Sequence, residues 1–453
     1  MEYKARVNRS TVRSLAAPAL LVAATLATYV NTFRGDFQFD DAAAILENPH
    51  LESWRVFIEH LDHMVRPALY STFLIDRSLY GDVAAGYHLL NLLLHLGCGL
   101  LIYRIAAHAA ADERSPIPFW TALLFLIHPL NTETVTYISG RATGLMAFFY
   151  LLAFYCYIRE AQVGALICLV LSFASKETAA TFPVALLLWD GLVRQPDGAK
   201  LRAVMSRHWP FWAVVGIAGL WAVMNPRYHD LAQFSVTIRP LWDNLLSQVH
   251  AVSYVLILFF APWKQNFDHD LPVFHSLFRW PLPFELAVMA GMAAMAILSA
   301  RRFPLLAFGV GWFALQLVPT NSLLPRADLL SERNLYLASI GLFLTVAAVA
   351  VRAADRVAQP KLAAAGALVV ALIVCGVTYQ RNALYQDELL LWADTVRKSP
   401  EKARPHNNLG YAYATRGEWE RALEEFRIAV KLDPDYGLAR DNLRNAYLSI
   451  VER

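Results

Sequence analysis

Two adjacent carboxylates, Asp40 and Asp41, follow the first long apolar run of the chain. A carboxylate so placed can take a proton from an acceptor hydroxyl. Adjacent side chains of an extended segment point to opposite sides, so at most one of the pair is the base, and the other orients a neighbour or binds a cation. The plainer reading is an N-cap for a helix over Ala42 to Glu47. A second group is His128, Glu133 and Arg141, where an apolar run breaks at Pro129 and resumes after Gly140. Ionisable residues near membrane depth are costly and mark function by default, although Glu133 and Arg141 can also pair with each other across the turn. The third group is Ser175-Lys176-Glu177 and the fourth runs from Pro325-Arg326 to Ser331-Glu332-Arg333-Asn334-Leu335-Tyr336. Arg offers a bidentate fork and Lys a point charge to a phosphate, and neutralising a departing phosphate is the electrostatic help a transferase needs. The competing reading, favoured for Arg326, is a side chain that snorkels into headgroups. Arg66, in an acidic loop, and His88 with His95 complete the set. The two histidines and Asn91 share one helix face, a polar stripe that lines a cavity or bonds a neighbouring helix; without a carboxylate-rich ligand set, no metal site is expected.

The elements that must position these groups are membrane helices. Of 453 residues, 57% are hydrophobic and 17% charged, too apolar for a soluble domain of this length. The net charge of +3 is spread in short clusters, which excludes nucleic acid as a partner. The four cysteines lie apart within apolar runs, implying neither disulfide nor zinc. A bilayer core needs roughly 20 apolar residues per helix. Candidate runs fall at 15–33, 87–106, 117–136, 142–158, 162–175, 178–193, 209–225, 243–262, 284–300, 303–320, 335–351 and 362–379. The first, preceded by Lys4, Arg6, Arg9 and Arg13, reads as an anchor rather than a cleaved signal. Lys and Arg clusters at 104–114, 194–207, 301–302 and 352–361 mark cytoplasmic loops. That places the N-terminus inside and the acidic segment 34–86 outside, with short amphipathic helices near Trp54 and over Pro67 to Tyr80 at the membrane surface. Charge parity then requires 243–262 to enter and leave on one face, giving about eleven crossings and an external C-terminus.

From residue 380 the chain turns soluble and repetitive. With Ala403 as the first position of a 34-residue repeat, Leu409, Gly410, Tyr413, Ala422, Phe426, Ala429 and Pro434 occupy the tetratricopeptide positions over 403–436. Trp392 and Pro400 mark a preceding half repeat, and Leu443 and Tyr447 a final helix. The expected fold is all-α: a polytopic domain over 1–379 and a tetratricopeptide-repeat domain over 380–453.

The ordered set Phe39-Asp40-Asp41, Arg66-Pro67, Gly86-Tyr87-His88, Asn91, His95, His128-Pro129, Thr132-Glu133, Gly140-Arg141, Ser175-Lys176-Glu177 and Ser331-Glu332-Arg333 with Tyr336 resembles the transmembrane O-mannosyltransferases with tetratricopeptide repeats, including those that target cadherins. The resemblance covers nearly the whole chain. It implies a GT-C glycosyltransferase fold with an external active site and a dolichyl-phosphate sugar donor. It makes Asp40 or Asp41 the base that activates a Ser or Thr hydroxyl. Arg141, Lys176 and Arg333 become the donor phosphate residues, and Arg66, His88, His95, His128, Glu133, Glu177, Glu332 and Tyr336 are the candidates to line the substrate cavity; no residue is assigned as a metal ligand, and a divalent-metal requirement is left open. The repeat array is shorter than is usual in that family, and the compact loops read as prokaryotic. Undecaprenyl phosphate is then the expected carrier, in a bacterial inner membrane, with the active site and repeats in the periplasm. The partners expected are the polyprenyl-phosphate sugar, a protein or glycan acceptor, and membrane lipids. Other readings are transfer to a lipid-linked glycan or envelope polymer, a lipid-glycan transporter, and a membrane-anchored repeat scaffold.

Overall fold

The computed structural model describes residues 2–110, 115–194, 198–321, 324–357 and 359–451. It is all-helical, with no strand among the described residues. The chain runs through α1 (Glu2–Tyr29), α2 (Trp54–Glu59), α3 (Pro67–Tyr80), α4 (Ala84–Ala109), α5 (Ile117–Ile127), α6 (Thr132–Thr136), α7 (Arg141–Ile158), α8 (Gln162–Phe173), α9 (Phe182–Trp189) and α10 (Gly198–Met224). It continues through α11 (Pro226–Ile238), α12 (Leu241–Phe260), α13 (Leu282–Ser299), α14 (Pro304–Leu317), α15 (Tyr336–Ala354) and α16 (Pro360–Leu384), then α17 (Glu388–Lys398), α18 (Ala403–Thr415), α19 (Trp419–Leu432) and α20 (Gly437–Val451).

Seven helices among the described residues are long and apolar enough to cross a membrane: 16–34, 84–109, 138–158, 241–260, 282–299, 332–354 and 361–384. This is a multi-pass protein, but the expected count of about eleven crossings is not reproduced as uninterrupted helices. Three further apolar helices, α5, α8 and α14, have 11, 12 and 14 residues. At 1.5 Å per residue they span only about 17–21 Å. The run expected over 117–136 is cut because Pro129 has no N–H to continue a helix and forces His128 into an extended conformation. The runs expected over 162–175 and 178–193 are separated at Lys176, which is extended. The interruptions therefore fall on the segments singled out for chemistry. The helix α12, expected to enter and leave on one face, is unbroken; it meets the 321–330 loop through Gln248 and the 128–131 turn through Phe259.

A core of buried side chains from α1, α4, α5, α7, α8, α9, α14 and α15 holds the bundle together. The segment between α1 and α4 is itself folded. Ile45, Leu51, Phe57, Leu69 and Phe73 pack with Tyr87, Ile138 and Ala142, so this loop forms a fixed cap over the start of α7.

Helix α16 runs on through residue 380 to Leu384, and α17 starts at Glu388. In the full repeat Ala422, Phe426 and Ala429 are buried. Gly410 is required: a Cβ there would lie 2.7 Å from the Phe426 ring. The short array leans on the membrane domain. Lys398 Nζ donates to Gln265 O at 2.7 Å, Asn266 Nδ2 to Ser399 Oγ at 2.7 Å, and Arg404 Nε to Asp268 Oδ2 at 2.7 Å. Neighbouring repeats normally share a core; here the 261–270 loop takes a neighbour's place.

Candidate functional site

Where the α1–α4 cap, the start of α7, the 174–181 turn and the 324–335 segment meet, they enclose a cavity of about 560 Å³. Asp40, Arg66, Lys176, Glu177 and Arg333, each singled out from the sequence, line it. Arg326 lines it as well, contrary to the expectation that it would snorkel.

The two carboxylates after α1 have separated in role. Asp40 is exposed to the cavity, and its backbone N–H donates to Tyr137 Oη at 3.2 Å. Asp41 is 1% exposed. Its carboxylate accepts from Gln38 N at 3.0 Å, from Ser139 N at 2.8 Å and from the Ser139 hydroxyl. It makes no side-chain cap to the following turn; it ties the cap to the 138–140 turn instead. Burial pushes its pKa up to about 7, against the pull of those hydrogen bonds. Phe39, at φ 48°, sits in a region that bulky residues avoid, and its ring is packed 5.3 Å from Trp392.

The cations are held in different ways. Arg66 Nη2 donates to both oxygens of Glu177, at 3.1 and 3.0 Å. Arg333 is anchored through its backbone N–H to Glu133 Oε2 at 3.0 Å, with its Nε 3.6 Å from Oε1, and its side chain keeps 34% exposure. Lys176 is buried against the cavity wall and donates to two neutral oxygens, Thr143 Oγ1 at 2.8 Å and Asn334 Oδ1 at 2.9 Å. Burial, followed by the charge of Arg66, pushes its pKa down to about 7; Arg333 and Arg326 add to that and Glu177 opposes it. Among the described residues, neither Lys176 nor Arg326 forms an ion pair with a carboxylate. The third cavity carboxylate, Asp328, is engaged by Lys402 and Arg404. The cavity thus presents four cations, two of them uncompensated by direct contact, which is a setting for an anion.

Other candidates lie elsewhere. Arg141 is fully buried beneath the cap, 2.5 Å from Asp76 Oδ2, donating to Asn91 Oδ1 at 2.7 Å and Tyr87 O at 2.8 Å. It pairs with Asp76 and not with Glu133, and it does not line the cavity. Gly140 lets it turn in: a Cβ there would meet Glu133 O at 2.6 Å. His88 contacts Gly35 O, while His95 joins Tyr336 Oη at 2.8 Å and Leu126 O at 3.1 Å. His128 accepts from Leu130 N and contacts Phe259 O. Glu332 is buried among Gln265, Asn266 and His269. These residues bond helix to helix and loop to loop around the site, so His88, His95, His128, Glu332 and Tyr336 support the cavity without lining it. Glu133 lines a smaller adjoining chamber. Sequence reasoning gave no role to Ser139, Thr143 and Asp328, and named Asn334 only as a neighbour of Arg333; as single polar residues they carry no spacing signal.

The tetratricopeptide repeat family matches residues 403–436. Most of the chain is similar to curated proteins named protein O-mannosyl-transferase. F38B6.6 of Caenorhabditis elegans is 24% identical over 92% of this chain and 63% of its own length. Tmtc3 of Drosophila melanogaster and TMTC1 of Homo sapiens are each 24% identical over 94% of this chain and 56% of their own. The resemblance read from the ordered motifs is therefore matched along nearly the whole chain, which spans about 56–63% of the length of these relatives. No solved structure matches.

Proposed function

We propose that this chain is a GT-C glycosyltransferase that moves mannose from a polyprenyl-phosphate carrier to a Ser or Thr hydroxyl of a protein, on the external face of the membrane. The observation that carries it is one cavity in which, among the described residues, Asp40 is the single lining carboxylate not paired with a cation, together with Arg66, Lys176, Arg326 and Arg333. Mannose and a protein acceptor come from the names of the relatives. The lipid carrier is supported by the cation cluster where the cap meets the turns that join the apolar helices, and an undecaprenyl chain is the form proposed.

The reaction is a single displacement with inversion. The acceptor oxygen bonds to the anomeric carbon, the bond from that carbon to the phosphate oxygen breaks, and the phosphate departs with the electron pair. Asp40 takes the hydroxyl proton, a contribution of roughly 100- to 10,000-fold in rate. Lys176 and Arg326 meet the charge growing on the phosphate; Arg66 and Arg333 are held in place for it by Glu177 and Glu133. Asp41 positions the cap that carries Asp40, and Arg141 with Asp76 pins that cap to α7.

The test uses the purified full chain in detergent with polyprenyl-phosphate [³H]mannose and an envelope extract. Wild type should yield labelled protein, and Asp40→Asn should lose at least about 100-fold in turnover while binding the donor as well as wild type. Normal transfer by Asp40→Asn, or a wild type that neither binds the donor nor labels anything, ends the proposal.

A further inference from the structure

Beside the main cavity lies a smaller chamber of about 210 Å³. Asp40, Asp328, Ser331 and Arg333 line both spaces. Its remaining walls come from Phe39, Glu133 and Leu330, from Phe267 and Asp268 of the loop after α12, and from Trp392 and Arg404 of the repeat region. A water occupies about 30 Å³ of liquid, so the chamber has room for a residue-sized group. Its floor is three rings packed edge to face: Phe39 to Phe267 at 5.9 Å, Phe39 to Trp392 at 5.3 Å and Phe267 to Trp392 at 5.3 Å.

We infer that this chamber is an acceptor subsite, which takes the side chain next to the attacked Ser or Thr in an acceptor polypeptide. The inference rests on the transferase reading and adds the specificity determinant to it. An acceptor hydroxyl must reach Asp40 from a side not filled by the donor, and this chamber adjoins Asp40 apart from Lys176 and Arg66, which line only the larger cavity. Each ring sets its edge against the face of another, which makes the floor an apolar platform for a side chain. Four carboxylates, Asp40, Glu133, Asp268 and Asp328, line the chamber against two guanidinium groups, Arg333 and Arg404. Lys402 adds a cation on Asp268 and Asp328 from outside the chamber. The subsite therefore rejects an acidic neighbour and accepts a neutral or basic one. Trp392 and Arg404 give the repeat region a direct part in this choice, as specificity-determining residues.

The experiment uses the full-length protein, polyprenyl-phosphate mannose, and three short peptides in which the residue beside a single Thr is Ala, Lys or Glu. Donor binding is measured separately without peptide. The Glu peptide should show kcat/KM lower by about tenfold or more than the Ala peptide, mainly through KM, and the Lys peptide should equal or exceed Ala. Arg404→Ala, which leaves Asp268 and Asp328 with less compensation, should widen the Lys-over-Glu ratio and leave donor affinity unchanged. With wild type alone, a peptide carrying benzoylphenylalanine beside Thr should crosslink within 392–404 or at 267–268. Equal kcat/KM for the three peptides, or crosslinks only elsewhere, overturns the subsite while donor binding and transfer still stand. Transfer to a glycan and to none of the peptides overturns it too. Failure to bind donor at all removes the transferase reading beneath it.

Discussion

Lys176 gives the donor-binding reading its most demanding consequence. Its ammonium is buried, held by two neutral oxygens and surrounded by Arg66, Arg326 and Arg333, with Glu177 as the one opposing charge. Its pKa of about 7 in the free protein lies well below the ordinary 10.5. A polyprenyl-phosphate sugar is a phosphodiester whose single charge does not titrate near neutrality, so a donor beside Lys176 favours the protonated amine. Above pH 7 the free protein has lost that proton and must regain it on binding; affinity therefore falls as pH rises. With a pKa near 7, about one molecule in 100 carries the proton at pH 9. The donor Kd should rise roughly 100-fold between pH 6 and pH 9, or about 2.7 kcal/mol at 1.36 kcal/mol per unit. Lys176→Gln removes this slope and, having lost a charged hydrogen bond worth about 1.5–3 kcal/mol, should bind about 10- to 100-fold more weakly at pH 6. Asp41 and Glu133 also titrate near 7 and gain negative charge over the same range; whatever slope remains in Lys176→Gln belongs to them. Equilibrium binding of a fluorescent donor analogue from pH 6 to 9 makes the comparison. A wild-type Kd that stays flat, or a Lys176→Gln slope equal to that of wild type, refutes the assignment.

Asp41→Ala leaves the buried N–H groups of Gln38 and Ser139 without their acceptor, at about 1–3 kcal/mol each. The thermal midpoint should fall markedly, whereas that of Asp40→Asn should hardly move. Arg141→Met strands Asp76 under the cap and should cost about 3–5 kcal/mol, seen as poor yield and early aggregation; Arg141→Met with Asp76→Leu should recover much of the loss, and a double variant as unstable as the single one would show that the pair matters beyond its charges. Gly140→Ala brings a methyl group to 2.6 Å from Glu133 O, so it should shift the turn that carries Ser139 and reduce transfer activity more than thermal stability.

Much of the architecture was legible because it follows from one-dimensional patterns. Long apolar runs demand helices in lipid, and the spacing of Leu409, Gly410, Ala422, Phe426 and Pro434 can be satisfied by few structures other than a paired-helix repeat. The segments around Asp40, Arg66, Lys176 and Arg333 stood out because charges interrupting apolar runs are costly unless they are used. The structure does bring these four to one cavity.

What the sequence left open was which way each side chain turns, since that depends on contacts far along the chain. Asp40 and Asp41 are equivalent in the sequence; Ser139, nearly a hundred positions away, captures one of them and leaves the other facing the cavity. Arg141 carries the same charge as Arg333, but Asp76, Asn91 and Tyr87 enclose it beneath the cap. The apolar periodicity determined the helices and their approximate ends. Only tertiary packing decided which charges are satisfied internally and which remain available to a substrate, because burial and a partner's position are properties of the folded chain and not of local sequence.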